Sequence, residues 1–390
     1  MKFRTVNFVL TEVIDADGVT AVEIPGYISK IGDRAFENCQ TLKNVVISEG
    51  VEEIDGWAFR NCKALQSVTL PETLWRIDGA AFENCENLQS ITLPAKVRKL
   101  GGGVFEYCNK LQNMTIPEGV TKIGYALFRQ CHGLQSITLP ESVTVIGDRA
   151  FEGCIRLASL HLPSGLESIG EEALESCHLL QTLTVPENIS RIERRTFKYC
   201  IGLQSIILPE ALTYIGDEAF KDCTKLQSII LPEAVTHIGQ KVFDGCDSMQ
   251  SIVWGSAVIR TENYDKTALS NDLMKATEML ETKNFHLRIL NKTKYPVLFA
   301  YYQKNPEPEL REYLKANFKR IFPFLLQNND AMQTETILRI DGIIPDRDTM
   351  QKALDLAIQN TQDGGNPEIQ MLLLRYQEEH FTREQIKLRL

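Results

Sequence analysis

The sequence predicts an α/β repeat solenoid, in which parallel strands alternate with short helical turns, followed by a C-terminal all-α domain. Two observations lead to this prediction. The ten cysteines of the 390-residue chain are spaced 23 residues apart, from Cys39 to Cys246, and other residue types recur with the same period. After residue 255 this period is lost, and apolar residues recur at the three- and four-residue spacing of helices.

Every 23-residue repeat has the same order of apolar residues. A large apolar residue comes three positions before the cysteine, a leucine or methionine comes three positions after it, and an apolar-x-apolar phrase follows, which a proline ends in eight of the ten repeats. The consensus is I-G-x-x-A-F-x-x-C-x-x-L-x-x-I-x-L-P-x-x-V-x-x. One repeat is too small to bury its own apolar side chains, so we expect neighbouring repeats to stack and to pair their strands in parallel.

Two phrases set the local structure of a repeat. In LQSITLP (134–140), Ile137 and Leu139 alternate with polar residues, which is typical of a short half-buried strand, and the proline ends it. GDRAFEGC (147–154) is too short for an independent helix, so we expect a helical turn whose alanine, phenylalanine and cysteine point inward.

The cysteines are predicted to be packing residues. Free cysteine behaves as a small, weakly polar core residue, and the chain has none of the closely paired C-x-x-C motifs that are typical of metal or redox sites. Neighbouring cysteines in such a stack point in the same direction, so we expect no disulfides. We also expect no metal and no cofactor.

The repeat, with its I-G-x-x-A-F-x-x-C and L-x-x-I-x-L-P phrases, resembles the BspA-like class of leucine-rich repeats over roughly residues 22–255. The resemblance implies a right-handed superhelix that binds proteins or other macromolecules, often at a microbial surface, and it brings no catalytic residues. We expect an N-terminal cap at residues 1–25, ten repeats at 26–255 and a helical domain at 256–390.

The helical domain contains three recognisable patterns. The pattern predicts helices from residues 271–280 onward, and ELREYLKANFKRIFPFLLQ (309–327) has apolar residues at helical spacing, with a kink expected at Pro323. TMQKALDLAIQN and NPEIQMLLLRYQEEHF predict a helix pair joined by TQDGG. This pair distantly resembles an ankyrin unit, through A-L-x-L-A (353–357) and E-I-x-x-L-L (368–373). An ankyrin-like stack and a generic helical bundle both remain open.

The charge is unevenly distributed. Residues 256–390 have 19 basic and 19 acidic residues, so the whole net charge of −9 comes from residues 1–255. An acidic repeat region argues against a nucleic-acid partner, because phosphate binding needs clustered Lys and Arg. A glutamate follows the strand-ending proline in six repeats, which indicates turn chemistry on a solvated rim or else a track for a basic partner or a weak cation site: Glu72, Glu118, Glu141, Glu187, Glu210 and Glu233.

The outward positions of the predicted strands are the candidate partner-binding residues, since they face the concave side in leucine-rich repeats. The candidates are Thr69, Thr92, Thr115, Thr138, His161, Thr184, Ile207, Ile230 and Val253. Small hydroxyls dominate, although tight interfaces favour Trp, Tyr and Arg, so a mainly structural role is the alternative. The last three form an apolar stripe that we expect the helical region or a partner to cover; otherwise they are simply residues that suit strands.

An enzyme is not predicted. Cys131 with His132, and Cys177 with His178, are neighbours in sequence, but a catalytic pair needs side chains that converge in space. The helical region has no cysteine, and its histidines, at positions 286 and 380, lack an H-E-x-x-H companion. The predicted function is therefore a non-enzymatic scaffold that binds a macromolecular partner, most simply a protein, through the concave face or rim.

The compartment is predicted from the N-terminal sequence and the thiols. Asn7, Thr11 and Glu12 interrupt the first apolar segment, which is too short for a signal peptide, and no run of 18 apolar residues occurs. Ten free thiols favour a reducing compartment. We therefore expect a cytoplasmic monomer that does not insert into membranes. If an export signal was removed, the alternative is a cell-surface or secreted adhesin resembling the BspA-like proteins.

Overall fold

The computed structural model of the protein describes residues 1–14, 17–261, 264–340, 343 and 345–387. The chain forms two compact units. The first comprises Met1–Trp254 and Arg260–Thr277, and the second comprises Gly255–Ile259 and Glu278–Leu390. The predicted fold class is confirmed, because the first unit is a solenoid of paired parallel strands and the C-terminal region is helical.

In chain order the strands are β1 Lys2–Val6, β2 Val9–Ile14, β3 Ala21–Ile24, β4 Lys30–Ile31, β5 Asn44–Ile47, β6 Glu53–Ile54, β7 Ser67–Thr69, β8 Arg76–Ile77, β9 Ser90–Ile91, β10 Lys99–Leu100, β11 Asn113–Thr115, β12 Lys122–Ile123, β13 Ser136–Thr138, β14 Val145–Ile146, β15 Ser168–Ile169, β16 Thr182–Thr184, β17 Arg191–Ile192, β18 Ser205–Ile207, β19 Tyr214–Ile215, β20 Ser228–Leu231, β21 His237–Ile238, β22 Ser251–Trp254 and β23 Ala257–Arg260. The helices are α1 Lys266–Thr282, α2 Asn291–Lys304, α3 Pro308–Ala316, α4 Phe318–Gln327, α5 Ala331–Leu338, α6 Arg347–Gln362 and α7 Pro367–Lys387.

A typical repeat contributes two short strands. The first strand lies on the S-I-T phrase, as in β13, and the second lies on the residues before the I-G phrase, as in β14. Each pairs in parallel with its counterpart 23 residues away, as Asn113 does with Ser136 and Lys122 with Val145. This constant register places equivalent residues of successive repeats in one column. Residues 159–161 are an exception, because they form no strand.

The core of the first unit is a column of stacked phenylalanine rings. The rings of Phe36 and Phe59 lie 4.8 Å apart and within 15° of parallel, and the stacking continues ring by ring to Phe151. Leu174 interrupts the column, which resumes from Phe197 to Phe243. These side chains are fully buried. Burying a large apolar side chain contributes about 1.5 to 3 kcal/mol, so the column is a main source of stability.

The cysteines form a second internal column, next to the rings. All ten thiols are free; nine are buried, and Cys39, in the first repeat, is half-buried. Each buried thiol donates a weak hydrogen bond to a backbone carbonyl 26 residues earlier, as Cys154 Sγ does to Phe128 O at 3.2 Å. The prediction that the thiols fill core positions is therefore confirmed, and the bond explains why a weak donor suits this position.

The segment before each cysteine differs from the predicted helical turn. It is a series of β-turns in which backbone N–H groups donate alternately within the repeat and to the next one: Glu152 N–H donates to Arg149 O at 3.1 Å, and Phe151 N–H donates to Ala173 O at 2.8 Å. Arg149 and Gly153 have positive φ angles of 58° and 75°. Residues in this left-handed region cannot continue a right-handed helix. The alanine and phenylalanine are buried, as predicted.

Both ends of the first unit are closed by elements outside the regular repeats. At the start, β1 and β2 form an antiparallel hairpin, and β2 pairs in parallel with β4 of the first repeat. At the other end, Thr261 Oγ1 donates to Met249 O at 2.6 Å, and Ser270 Oγ accepts from Phe243 N–H at 3.0 Å. Residues 260–277 of this unit therefore satisfy polar groups of the last repeat.

The second unit contains the helices that the apolar spacing predicts. Helices α6 and α7 form the predicted pair, with Ala353, Ala357, Ile369 and Leu373 buried. The predicted helix 309–327 is instead two helices, α3 and α4. The helix is interrupted at Asn317, whose Nδ2 donates to Tyr313 O at 2.8 Å and caps the end of α3. The expected kink residue, Pro323, lies inside α4. The ankyrin likeness of the α6–α7 pair stays a prediction.

Candidate functional site

The candidate partner-binding residues form one column on the outer side of the first strands, and we call this column and its hydroxyl-bearing neighbour the strand face. Strand alternation puts them there, because Ile137 faces the core while Ser136 and Thr138 face outward; His161 has the equivalent position in residues 159–161, which form no strand. Val253 is half-buried and the other eight candidates are exposed. The eight exposed residues are Thr69, Thr92, Thr115, Thr138, His161, Thr184, Ile207 and Ile230.

The neighbouring column of the strand face carries Ser and Asn side chains that bond to one another between repeats. Ser67 Oγ donates to Asn44 Oδ1 at 2.8 Å, and Ser136 Oγ donates to Asn113 Oδ1 at 2.6 Å. Such cross-strand pairs stabilise a sheet. The small polar side chains therefore have a structural role, and they also leave a regular, low-relief surface.

The apolar stripe lies at the C-terminal end of the strand face. The side chains of Ile207 and Ile230 are 64% and 65% exposed, and Ile230 pairs in register with the half-buried Val253. Both isoleucine side chains are therefore exposed, and the covering of the stripe by a partner stays a prediction. Exposed aliphatic side chains one repeat apart give the face an apolar end that the hydroxyl repeats do not have.

The glutamates that follow the strand-ending prolines are exposed, and at least one has a local structural role. Glu141 Oε2 accepts hydrogen bonds from the Ser164 N–H and hydroxyl, both at 3.0 Å. Its other oxygen lies 3.9 Å from Nε2 of the exposed His161. Residues 1–14, 17–261, 264–340, 343 and 345–387 contain no group of three side chains placed to hold a metal ion. At Glu141 the turn-chemistry interpretation fits better than a cation site.

The cysteine–histidine neighbours do not form catalytic pairs. Cys131 Sγ is buried and donates to Phe105 O at 3.0 Å, while His132 is exposed and its Nε2 contacts Gln130 Oε1 at 2.8 Å. Burial raises the pKa of the Cys131 thiol well above its usual range, and it raises the pKa of Cys177 as well. Since the thiolate is the nucleophile, the burial and the raised pKa argue against a nucleophilic role for these two sulfurs.

A column of charged side chains lies directly after the core phenylalanine position, and the sequence reasoning missed it. Arg129 joins two acids of this charge column: Nη1 lies 2.7 Å from Glu106 Oε1, and Nε lies 2.9 Å from Glu152 Oε2. Burial raises the pKa of Glu106 despite the opposing effect of Arg129. The sequence shows the charge column when the residue after each core phenylalanine position is read. These residues are Glu37, Arg60, Glu83, Glu106, Arg129, Glu152, Glu175, Lys198, Lys221 and Asp244.

The second unit contains an open cavity of about 510 Å³ between α5 and α7. Several of its polar side chains already have partners within this unit, and the Tyr376 hydroxyl donates to Ile343 O at 3.2 Å. Arg339 donates to Glu335, and the His380 ring stacks on Tyr376 with centroids 4.0 Å apart. The groups therefore do not converge on a common point, as nucleophile, base and orienting group must in an active site.

Comparison with known families identifies the repeats. The model of the BspA type leucine rich repeat region matches residues 15–135 and 126–250, in six copies. The chain belongs to the BspA-type leucine-rich repeat family. Proteins with this fold are generally binding scaffolds without catalytic activity. A search of curated proteins finds no match to the chain.

Three solved structures illustrate what this BspA-type chain is similar to. A leucine rich cell surface protein from Faecalibacterium prausnitzii A2-165 is 29% identical, with 62% of this chain and 76% of that one covered and a TM-score of 0.49. A leucine-rich repeat protein from Bacteroides ovatus ATCC 8483 is 26% identical over 64% and 86%, with a TM-score of 0.39. The pneumococcal vaccine antigen PcpA is 20% identical over 63% and 74%, with a TM-score of 0.45.

Within the described residues of this BspA-type protein, no helix has both the length and the apolar character needed to span a bilayer.

Proposed function

We propose that the chain is a non-enzymatic scaffold that binds a protein partner through the strand face. The observation that carries this proposal is the exposure of Ile207 and Ile230, at about two thirds of each side chain. Aliphatic side chains in adjacent repeats form a contiguous apolar patch, and such patches on soluble proteins commonly mark interaction sites.

The rest of the strand face suits a polar rim. Thr184 lies in register with Ile207 on the neighbouring strand, so hydroxyl groups begin directly beside the apolar end. Interfaces typically combine an apolar centre with a polar, solvent-accessible rim. The hydroxyl-bearing repeats would contact the partner around the isoleucines and determine its orientation, while the isoleucines supply most of the affinity.

The compartment is a separate question from binding. Nine of the ten thiols are buried, so oxidants in an oxidising compartment would not readily react with them. The free cysteines are therefore compatible with a reducing or an oxidising compartment. The cytoplasmic location stays a prediction, as does the alternative of a cell-surface or secreted adhesin. The monomeric state and the division at residues 25 and 255 are proposals as well. Size measurement in solution tests the first, and limited proteolysis tests the second.

The binding proposal is tested by restoring the column's usual residue. In Ile207→Thr/Ile230→Thr, both apolar side chains become the threonine that other repeats carry, so the fold is preserved. Affinity capture from lysate of the source cells, quantified by mass spectrometry, should show a defined protein that the wild-type chain retains and this variant loses.

The matched control is Leu179→Thr/Ile201→Thr. It removes two exposed aliphatic side chains, 51% and 40% exposed, that lie outside the strand face of the same unit. The control should retain the captured protein. If the strand-face variant captures the same proteins as the wild type, or if the control loses them equally, the isoleucines are not the binding centre.

A further inference from the structure

A patch of unpaired basic side chains lies around β10 and β12, away from the strand face. We call Lys96, Arg98, Lys99 and Lys122 the basic patch; all four are exposed. Within the described parts of the chain, none of them has a carboxylate partner in an ion pair. Arg98 Nη1 donates instead to the carbonyl of Ala95, at 2.7 Å. This concentration of positive charge occurs within residues 1–255, which carry the whole net negative charge of the chain.

In other repeats, the cation of the second strand is paired with a carboxylate at a constant position. Lys30 Nζ lies 2.9 Å from Asp55 Oδ1, and Arg191 Nε lies 2.7 Å from Glu193 Oε1. Asp55 comes two residues after Glu53, which is the counterpart of Lys30 in the next repeat. Glu193 comes two residues after Arg191 in the same repeat. The fold therefore brings a carboxylate at this position within reach of the second-strand cation.

The basic patch has glycine where those repeats have the acid. Gly101 comes two residues after Lys99, and Gly124 comes two residues after Lys122. Without side chains at these positions, Lys99 and Lys122 lack the carboxylate that pairs with the second-strand cation in those repeats, as far as the described residues go. Gly124 leaves room beside Lys122, because an added Cβ there would make only ordinary contacts of 3.8 Å, whereas the backbone of Asp78 and Gly79 fills the corresponding space at Gly101.

A second set of glycines leaves backbone donors open beside the same cations. Elsewhere, a carboxylate accepts from the backbone N–H of the residue 23 positions later: Asp148 Oδ1 from Glu171 at 2.9 Å, and Asp217 Oδ1 from Gln240 at 2.7 Å. Two repeats of the patch have glycine at the position of Asp148, and these glycines are Gly79 and Gly102. The backbone N–H groups 23 residues after these glycines belong to Gly102 and Tyr125, and they are the counterparts of the Glu171 N–H. Both residues are exposed, and neither N–H has a partner among the described residues.

The patch also has the side chains that binding surfaces favour. Tyr125 is 55% exposed and Trp75, one repeat before Arg98, is 38% exposed. Trp, Tyr and Arg are the residue types enriched at the centres of protein interfaces. The strand face has none of the three among its nine candidates, so the two surfaces differ in chemistry.

We propose that the basic patch binds an acidic segment of a partner protein. The aspartate or glutamate carboxylates of that segment take the two positions that acids of this chain occupy in other repeats, one against Lys99 and Lys122 and one on the N–H groups of Gly102 and Tyr125. Hydrogen bonds between charged groups are stronger than neutral ones. In the repeats where this chain makes these contacts itself, the partner is a carboxylate, and the net charge of −9 disfavours a nucleic acid.

The probe is a short labelled peptide of alternating glutamate and serine, measured by fluorescence anisotropy with the full chain. The same peptide with glutamine, and a single-stranded oligonucleotide of equal charge, are compared with it. We expect the acidic peptide to bind, more weakly as salt rises, and to bind more tightly than either comparator. Lys99→Ala/Lys122→Ala should weaken binding about tenfold, since two charge-assisted contacts are lost.

Gly102→Asn provides an independent test without changing the charge. Its side-chain oxygen can accept from the Tyr125 N–H, as Asp148 does from Glu171, so it should weaken binding of the acidic peptide. Lys225→Ala/Lys241→Ala removes two exposed lysines elsewhere in the first unit and should change affinity less than about twofold. Circular dichroism confirms that each variant is folded.

Three results would overturn the proposal. The first is an absence of acidic-peptide binding at low salt. The second is an equal loss in the Lys225/Lys241 control, which would indicate diffuse attraction. The third is an oligonucleotide that binds as tightly as the peptide, which would indicate a site for polyanions in general. Because the strand face takes no part in this measurement, its outcome is independent of the isoleucine experiment.

Discussion

The rings of Phe128 and Phe151 lie 5.7 Å apart, with planes that differ by 6°. The two residues belong to consecutive repeats, and no other contact shows more directly how one repeat completes the core of the next. Each ring covers the apolar face that its neighbour cannot bury alone.

Phe151→Ala should lower the free energy of unfolding by about 3 to 5 kcal/mol, because it removes a fully buried ring from the middle of the column. Phe151→Leu is the matched control, since Leu174 occupies the same position in the next repeat; its cost should be about 1.5 kcal/mol or less. Denaturant unfolding measures both. Equal costs for the two variants would show that ring stacking contributes little.

Cys39 should react with a thiol reagent in the native protein, and the other nine cysteines should react only after unfolding. Cys39 is half-buried, and the neighbouring Cys62 thiol lowers its pKa. Burial raises the pKa of the interior thiols, to about 12 for Cys200 and Cys246. Alkylation followed by mass spectrometry measures each site. Rapid native labelling of Cys154 would contradict the packing described above.

Lys198→Met should destabilise the protein at neutral pH and have a smaller effect in acid. Lys198 Nζ donates to Glu218 Oε2 at 2.7 Å and lowers the pKa of Glu218 from 4.5 to about 2, with a further contribution from Arg195. A lowered carboxyl pKa stabilises the fold above the unfolded pKa, and this contribution is lost as pH falls toward 2. We expect a cost of about 1 kcal/mol at neutral pH, after allowance for solvent screening.

The measurement is urea unfolding of Lys198→Met and the wild type at a series of pH values. The exposed Lys241→Met is the control, and its effect should be small and independent of pH in this range. A difference between wild type and Lys198→Met that grows as the pH is lowered would contradict the assignment.

Asp148→Ala should cost about 1 kcal/mol of stability, because the Glu171 N–H loses its acceptor. Asp148→Asn keeps an acceptor in place and should cost less. Thermal unfolding compares the two. This experiment examines the carboxylate position within the chain itself, without any added peptide. If both variants are as stable as the wild type, the N–H has no need of a side-chain acceptor.

Much of the first unit could be predicted from the sequence. The alternation in LQSITLP correctly placed Ile137 inside and Thr138 outside, and the 23-residue spacing of the cysteines correctly predicted one buried column. Both inferences work because a strand has a side-chain period of two and a solenoid repeats its environment. The outward direction of the candidate partner-binding residues follows from the same alternation, whereas their role depends on a partner.

The turn geometry could not be predicted in the same way. Positive φ angles recur before the alanine–phenylalanine pair, at ordinary residues such as Arg34, Trp57 and Arg149. Glycine would have signalled the left-handed conformation, but stacking against neighbouring repeats imposes it on other residue types. Asn38 and Asn61 gave a hint, since asparagine tolerates this region. The basic patch could not be predicted in this way, because only the structure shows that an acid at this position pairs with the second-strand cation.

The aliphatic side chain of Leu174 divides the column of rings into two runs, and residues 159–161, in the repeat just before it, form no strand. Two interruptions of different kinds therefore fall in adjacent modules. We expect a seam there: when the protein is heated or pulled from its ends, cooperative unfolding should first divide into an N-terminal and a C-terminal block at this point.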